Sequence, residues 1–283
     1  MPFRVGPGTS PVVGRAAQQR RLDALGARLA QGRGGAIALT GEPGIGKTAL
    51  LARLVNRASD TTVLATTGFT AETELPFAAL GDLLPPLLPL LPALPRPQAD
   101  ALGTALALSG PAGPVDAYAV CMATLTLLTA AATRQPVLVV VDDAGWIDAP
   151  SAAALLFAAR RVEHHPVGLV FAARDPLPPD FGAAGVETVF LGGLDRSAAG
   201  ELLERLRPGR STAGVRSVLV AHRGRAAARR VAGRLDPAVP PLRRRPLTPF
   251  AIARPAASHG RAGPSSSKWE VKRFSVKYVL PDG

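Results

Sequence analysis

Cysteine is almost missing from this chain: Cys121 is the single one in 283 residues. No intrachain disulfide can form, and a reducing, cytoplasmic setting is the natural expectation. Zinc sites are equally unsupported, because the four histidines and one cysteine make no ligand spacing. His164 and His165, just before Pro166, read as surface residues of a loop. Residues 1–14 have no apolar run of signal-peptide type. The longest uncharged apolar run near the middle, Ala117 to Thr133, is short for a membrane span. It is rich in Ala and Thr and leads directly into a strand pattern, so it reads as a buried helix. No membrane partner is expected.

Acidic residues are scarce in one region only. Residues 205–283 hold 3 Asp+Glu against 18 Lys+Arg, net +15. Residues 1–204 hold 18 Asp+Glu against 15 Lys+Arg, net −3. The overall charge of +12 therefore belongs to the last 79 residues, and the two parts need separate electrostatic arguments. Hydrophobic content of 47% permits a sizeable core.

The stretch that is present in full is Gly41-Glu42-Pro43-Gly44-Ile45-Gly46-Lys47-Thr48, which fits GxxxxGK[ST] at every fixed position. Ala36 to Thr40 before it is an apolar run of strand type. Leu50, Leu51, Leu54 and Val55 after it recur at helical spacing. That strand–loop–helix context is what a phosphate-binding loop needs. Its glycines let the backbone turn sharply and aim N–H groups at phosphate oxygens. The following helix N-terminus adds a favourable dipole. Lys47 can reach the β- and γ-phosphates, and the Thr48 hydroxyl can ligate Mg²⁺. The alternative is a glycine-rich turn that matches by chance. The expected cofactors are ATP and Mg²⁺, with Gly41, Glu42, Pro43, Gly44, Ile45, Gly46, Lys47 and Thr48 as the binding residues.

The second signal is Val137-Leu138-Val139-Val140-Val141-Asp142-Asp143. Unbroken apolar residues suit a strand buried on both faces, as in a parallel sheet. In phosphate-loop proteins a carboxylate at such a strand tip helps hold Mg²⁺ beside the loop hydroxyl. Asp142 takes that role with Thr48, and Asp143 is then placed to orient or polarise attacking water. The alternative is a pair of solvated loop acids. Val167 to Ala172 is a further buried strand with Arg174 at its end, either a γ-phosphate sensor or a surface cation paired with Asp175.

Other elements follow from pattern. Leu22, Leu25 and Leu29 share one helix face, and Thr62 to Thr67 reads as a strand. Phe77, Leu80, Leu83 and Leu84 make an apolar helical face. Pro85, Pro86, Pro89, Pro92, Pro95 and Pro97 exclude a long helix there, leaving short turns packed in the core or an exposed partner-binding surface. Asp148 opens a helix with an N-cap acid and an early proline, and Leu155, Leu156 and Phe157 can face the core. Val186 to Leu191 is a fifth strand, and Asp195 to Leu206 a helix with Leu202, Leu203 and Leu206. The alternation predicts an α/β phosphate-loop NTPase: a mostly parallel five-stranded sheet flanked by helices, with ligands at the strands' carboxyl ends.

Val13-Gly14-Arg15, the phosphate loop, Glu74-Leu75-Pro76-Phe77-Ala78, Asp142-Asp143-Ala144-Gly145-Trp146-Ile147-Asp148 and Leu191-Gly192-Gly193-Leu194-Asp195 resemble the ATPase module of large LuxR-type bacterial transcriptional regulators. The resemblance covers about residues 12–205, and the tryptophan-containing acidic motif is its most specific part. It implies a signal-transduction ATPase of the STAND type, related to AAA proteins and working as a nucleotide-controlled switch. ADP would favour a closed form, and ATP with an inducer a self-associated one. It implies a γ-phosphate sensor at Arg174 and a Val13–Arg15 segment near the adenine. DNA would be engaged only indirectly, or through a C-terminal helix-turn-helix that is not recognisable here. Ala16 and Gln18 also stand where the family usually has acids.

The expected organisation is a flexible lead-in at 1–11, an ATPase domain at 12–205, and a basic, largely disordered tail at 206–283. Arg243-Arg244-Arg245 typifies the tail. It reads either as a nucleic-acid-binding arm or as an out-of-frame product of a GC-rich gene. Three function classes result: an ATP-binding switch with slow hydrolysis, a DNA-binding protein acting through the tail, or a nonfunctional truncated fragment.

Overall fold

Strands buried on both faces must be covered by helices, and the computed structural model of the chain meets that demand. It describes residues 12–108 and 113–206. The lead-in at 1–11 and the tail from 207 onward, with the readings made for them, lie outside the described residues.

In chain order, α1 (Ala16–Ala30) is followed by β1 (Gly35–Gly41), α2 (Lys47–Arg57), β2 (Thr62–Thr67), α3 (Ala78–Leu83), α4 (Arg96–Ala105) and α5 (Ala117–Ala132). Then come β3 (Val137–Asp142), α6 (Ala149–Ala159), β4 (Val167–Arg174), α7 (Pro179–Ala183), β5 (Glu187–Leu191) and α8 (Arg196–Leu206). The prolines from Pro85 to Pro92 sit in a 3-10 helix, Pro85–Ala93, rather than an α-helix. Its Leu87, like Leu94 just after it, is buried. The leucine-rich run is thus largely core, and α4 and α7 are additions that pattern alone did not single out.

Among the described residues, the four strand pairings are all parallel, in the order β2-β3-β4-β1-β5. Alternate residues of β1 to β4 feed two cores, and β5 adds Val189 and Leu191 to one of them. Leu39, Leu138, Val140 and Val170 pack on one face with Leu22, Leu25 and Leu29 of α1 and Leu50, Leu51 and Leu54 of α2. Val137, Val139, Val141, Leu169 and Phe171 pack on the other with Leu127 and Leu128 of α5 and Leu155 of α6. Phe157 is only half-buried, beneath the Arg161 guanidinium, 3.6 Å from its ring centre. Leu202 of α8 is buried; the side chains of Leu203 and Leu206 lie outside the described set. His164 and His165 are exposed. Among the described residues, no helix is long and apolar enough to cross a membrane.

Candidate functional site

The loop after β1 is shaped by its glycines. Gly44 and Gly46 have φ of 78° and 112°, where a side chain would be strained. Gly41 leaves no room for one: a Cβ there would lie 2.5 Å from the Leu191 carbonyl oxygen. Gly46 caps α2 without a side chain, so the first N–H groups of α2 face the loop with no intrahelical partner. Lys47 opens the helix and folds its ammonium back over the loop. Its Nζ donates to the Gly41 carbonyl at 2.8 Å and the Glu42 carbonyl at 3.1 Å. Lys47 is 6% exposed. Burial lowers its pKa, opposed by the charges of Asp143 and Asp142 and assisted by Arg174.

Strand pleat decides which acid of β3 meets α2. Leu138 and Val140 face the α1/α2 core, so Asp142, two residues on, faces the same way. Its carboxylate is 5% exposed and accepts a hydrogen bond from the Thr48 hydroxyl at 2.7 Å. Burial raises its pKa, against the Thr48 bond, which lowers it. Asp143 leaves the strand in a left-handed conformation, φ 46°, and its N–H donates to Asp142 Oδ1 at 3.0 Å. Its side chain is half-buried.

Arg174 stands at the exposed end of β4, directly across from Gly41. Its guanidinium carbon lies 5.6 Å from the centre of the Trp146 ring, within cation–π range. Because β4 lies between β1 and β3, one sheet edge carries the loop lysine, both acids and this arginine. β1 (Gly35–Gly41), β3 (Val137–Asp142) and β4 (Val167–Arg174) deliver them at or just after their carboxyl ends. The arrangement can bind anionic phosphate oxygens, offer a hydroxyl and a carboxylate to a divalent cation, and hold a second acid and a cation beside them. The donor set fits Mg²⁺: hard oxygens, one of them a buried carboxylate whose charge lacks full solvation.

The Val13–Arg15 segment, which the resemblance implied lies near the adenine, makes contacts that the sequence reading did not give. Arg15 is 6% exposed and its guanidinium donates to the Ile45 carbonyl of the loop at 3.3 Å. Gly14, with φ 67°, approaches Ala198 of α8 so closely that a Cβ would lie 2.4 Å from the Ala198 methyl. The Val13–Arg15 run was visible in sequence, but its contact with the loop depends on tertiary packing. Asp148 was visible as a helix cap. Its carboxylate does more, accepting from the N–H groups of Phe77 at 2.7 Å, Ala79 at 3.0 Å and Ser151 at 2.9 Å.

Residues 11–171 match the AAA ATPase domain family, which is more than half of the chain. The chain belongs to that family, whose members generally bind nucleotide with Mg²⁺. No curated protein matches it. Solved structures give distant likenesses. A HORMA:CdnC:Trip13 complex from E. coli has a chain 14% identical, with TM-score 0.46, covering 74% of this chain and 73% of that one. A Pyrococcus horikoshii STAND protein with a tetratricopeptide repeat sensor is 18% identical, TM-score 0.44, over 72% of this chain and 27% of that one. A Drosophila ORC chain, in a structure bound to DNA, is 13% identical, TM-score 0.47, over 80% and 56%. None is close enough to speak to function. The chain spans about a quarter of the STAND protein's length.

Proposed function

We propose that residues 12–205 form an ATP-binding switch module of the STAND type with slow hydrolysis, resembling the N-terminal part of LuxR-type transcriptional regulators. The observation that carries this reading is the 2.7 Å bond between the Thr48 hydroxyl and the buried Asp142 carboxylate, with the Lys47 ammonium folded over the same loop. Three groups that a phosphate-loop site requires meet at one sheet edge, although Asp142 is far from the other two in sequence.

In this reading the N–H groups of residues 44–48 hold the phosphates. Lys47 exchanges its two loop carbonyls for β- and γ-phosphate oxygens. Thr48 and Asp142 hold Mg²⁺, which supplies charge neutralisation on those oxygens. Asp143 orients the attacking water, and Arg174 leaves the face of Trp146 to meet the γ-phosphate. Arg15 and Val13 line the approach to the base. Asp142 would hold the cation as the carboxylate, the form that its burial disfavours and a nearby positive charge would favour. A cytoplasmic setting and self-association in the ATP-bound state complete the proposal.

The test is calorimetric titration of the purified full chain with Mg-ATP. The wild-type chain binds, and Lys47→Ala reduces binding below detection while the melting profile without nucleotide is preserved. Undiminished affinity in Lys47→Ala would overturn the assignment.

A further inference from the structure

The segment after β2 is stitched along its length to the acid-bearing turn after β3. The Gly68 N–H donates to the Asp142 carbonyl at 2.9 Å. The Thr73 hydroxyl donates to the Trp146 carbonyl at 3.3 Å. The N–H groups of Phe77 and Ala79 then take the two oxygens of Asp148, at 2.7 and 3.0 Å, and the Leu80 N–H takes Ser151 Oγ at 3.1 Å. Asp148 also caps its own helix α6 through the Ser151 N–H. One carboxylate, 1% exposed, therefore closes the N-termini of two helices from distant parts of the chain.

The arrangement is unusual in its economy. Helix α3 supplies no side-chain cap of its own, and Phe77 before it is held at φ 63°, a region disfavoured for a residue with a Cβ. Orphan helix N–H groups need acceptors, and here α6 provides them. Only four residues separate Asp143 from Asp148, and they run through a 3-10 turn, Ala144–Trp146, that carries Trp146. A shift of Asp143 or Trp146 has little slack to be absorbed before it reaches Asp148. On the far side, Phe69 and Leu75 stand exposed.

We propose that Asp148 is a positioning residue that transmits occupancy of the nucleotide site from the Asp143–Trp146 turn to the segment Gly68–Leu80. The inference rests on the nucleotide-binding reading above and adds to it the element that answers. Asp148 accepts from the N–H groups of Phe77, Ala79 and Ser151 and acts through the backbone that it holds.

Hydrogen–deuterium exchange on the full chain, with and without Mg-ATP, tests it. In wild type, Mg-ATP slows exchange across residues 69–80. Asp148→Asn keeps the shape but replaces one acceptor oxygen by a donor. It retains Mg-ATP binding, exchanges about tenfold faster over 77–80, and no longer responds there to nucleotide. A purely structural cap would speed exchange in both states and leave the response intact, which would overturn the proposal. Should Asp148→Asn fail to fold, Ser151→Ala removes only the acceptor of Leu80 and must weaken the response at that amide; an undiminished response overturns the proposal. Wild-type protein that binds Mg-ATP without any change over 69–80 refutes the coupling alone. Wild-type protein that takes up no Mg-ATP refutes the nucleotide reading, and the coupling with it.

Discussion

Asp142 is stored in an unfavourable state. A buried carboxylate with one hydroxyl and one backbone N–H donor is costlier than a solvated one, and its pKa is raised in consequence. The folded protein thus holds the Asp142 proton more tightly than the unfolded chain does. Stability from this group is present at low pH and falls as pH rises from the ordinary carboxylate value through the raised one. Asp142→Asn removes that penalty. At neutral pH and without nucleotide or metal, the variant melts higher than wild type, by ~2–4 °C for each kcal/mol relieved. The advantage disappears when the melt is repeated at acid pH, and Mg²⁺-dependent nucleotide binding is lost. A variant that melts lower at neutral pH would contradict the origin of the shift. The sequence reading gave the metal role to Asp142 and the water to Asp143 by analogy with other phosphate loops, without a geometric reason. The pleat chooses: Asp142 shares a face with Leu138 and Val140, and therefore with α2.

Elements were largely legible where hydrophobic period was strong. Leu22, Leu25 and Leu29 of α1, and Leu50, Leu51 and Leu54 of α2, are buried as their spacing predicts. Unbroken Val137–Val141 is fully buried in mid-sheet. The proline-rich run was legible only as the absence of a long helix, because prolines state what the backbone cannot do and not how its leucines pack. Least legible was the segment between β2 and α3, which has few periodic residues and takes its shape from partners far along the chain. Gly68 shows the dependence. A Cβ there would lie 2.4 Å from the Asp143 carbonyl oxygen and 2.9 Å from backbone atoms of Trp146 and Ile147. Backbone cannot rotate out of the way as a side-chain tip can. Gly68→Ala destabilises the chain by about 1–3 kcal/mol, read from urea unfolding, and weakens Mg-ATP affinity by displacing Asp143. An unchanged midpoint would show that the two segments are not in contact in solution.

For the whole molecule, the sheet order is what makes a site. Lys47 and Thr48 follow β1, the acids end β3, and Arg174 ends β4, which lies between them. Saturating Mg-ATP at 100 times its dissociation constant adds ~2.7 kcal/mol to the folded state, or about 5–10 °C in melting temperature for a domain of this size. Lys47→Ala abolishes that rise without lowering the unliganded melting temperature. A wild-type chain whose melting temperature ignores Mg-ATP would argue against the switch reading.

By itself the sequence determined the phosphate loop, the acidic strand, the α/β alternation and the parallel character of the sheet. Each of these is a local matter, carried by glycine conformations, by period and by strands with no polar face. Only the tertiary structure decided that β4 inserts between β1 and β3, that Arg15 reaches the loop carbonyl, and that Asp148 caps two helices at once. Those contacts join residues 30 to 133 positions apart in the chain. No local propensity encodes such a pairing; it is selected by how two apolar faces of one sheet are covered together.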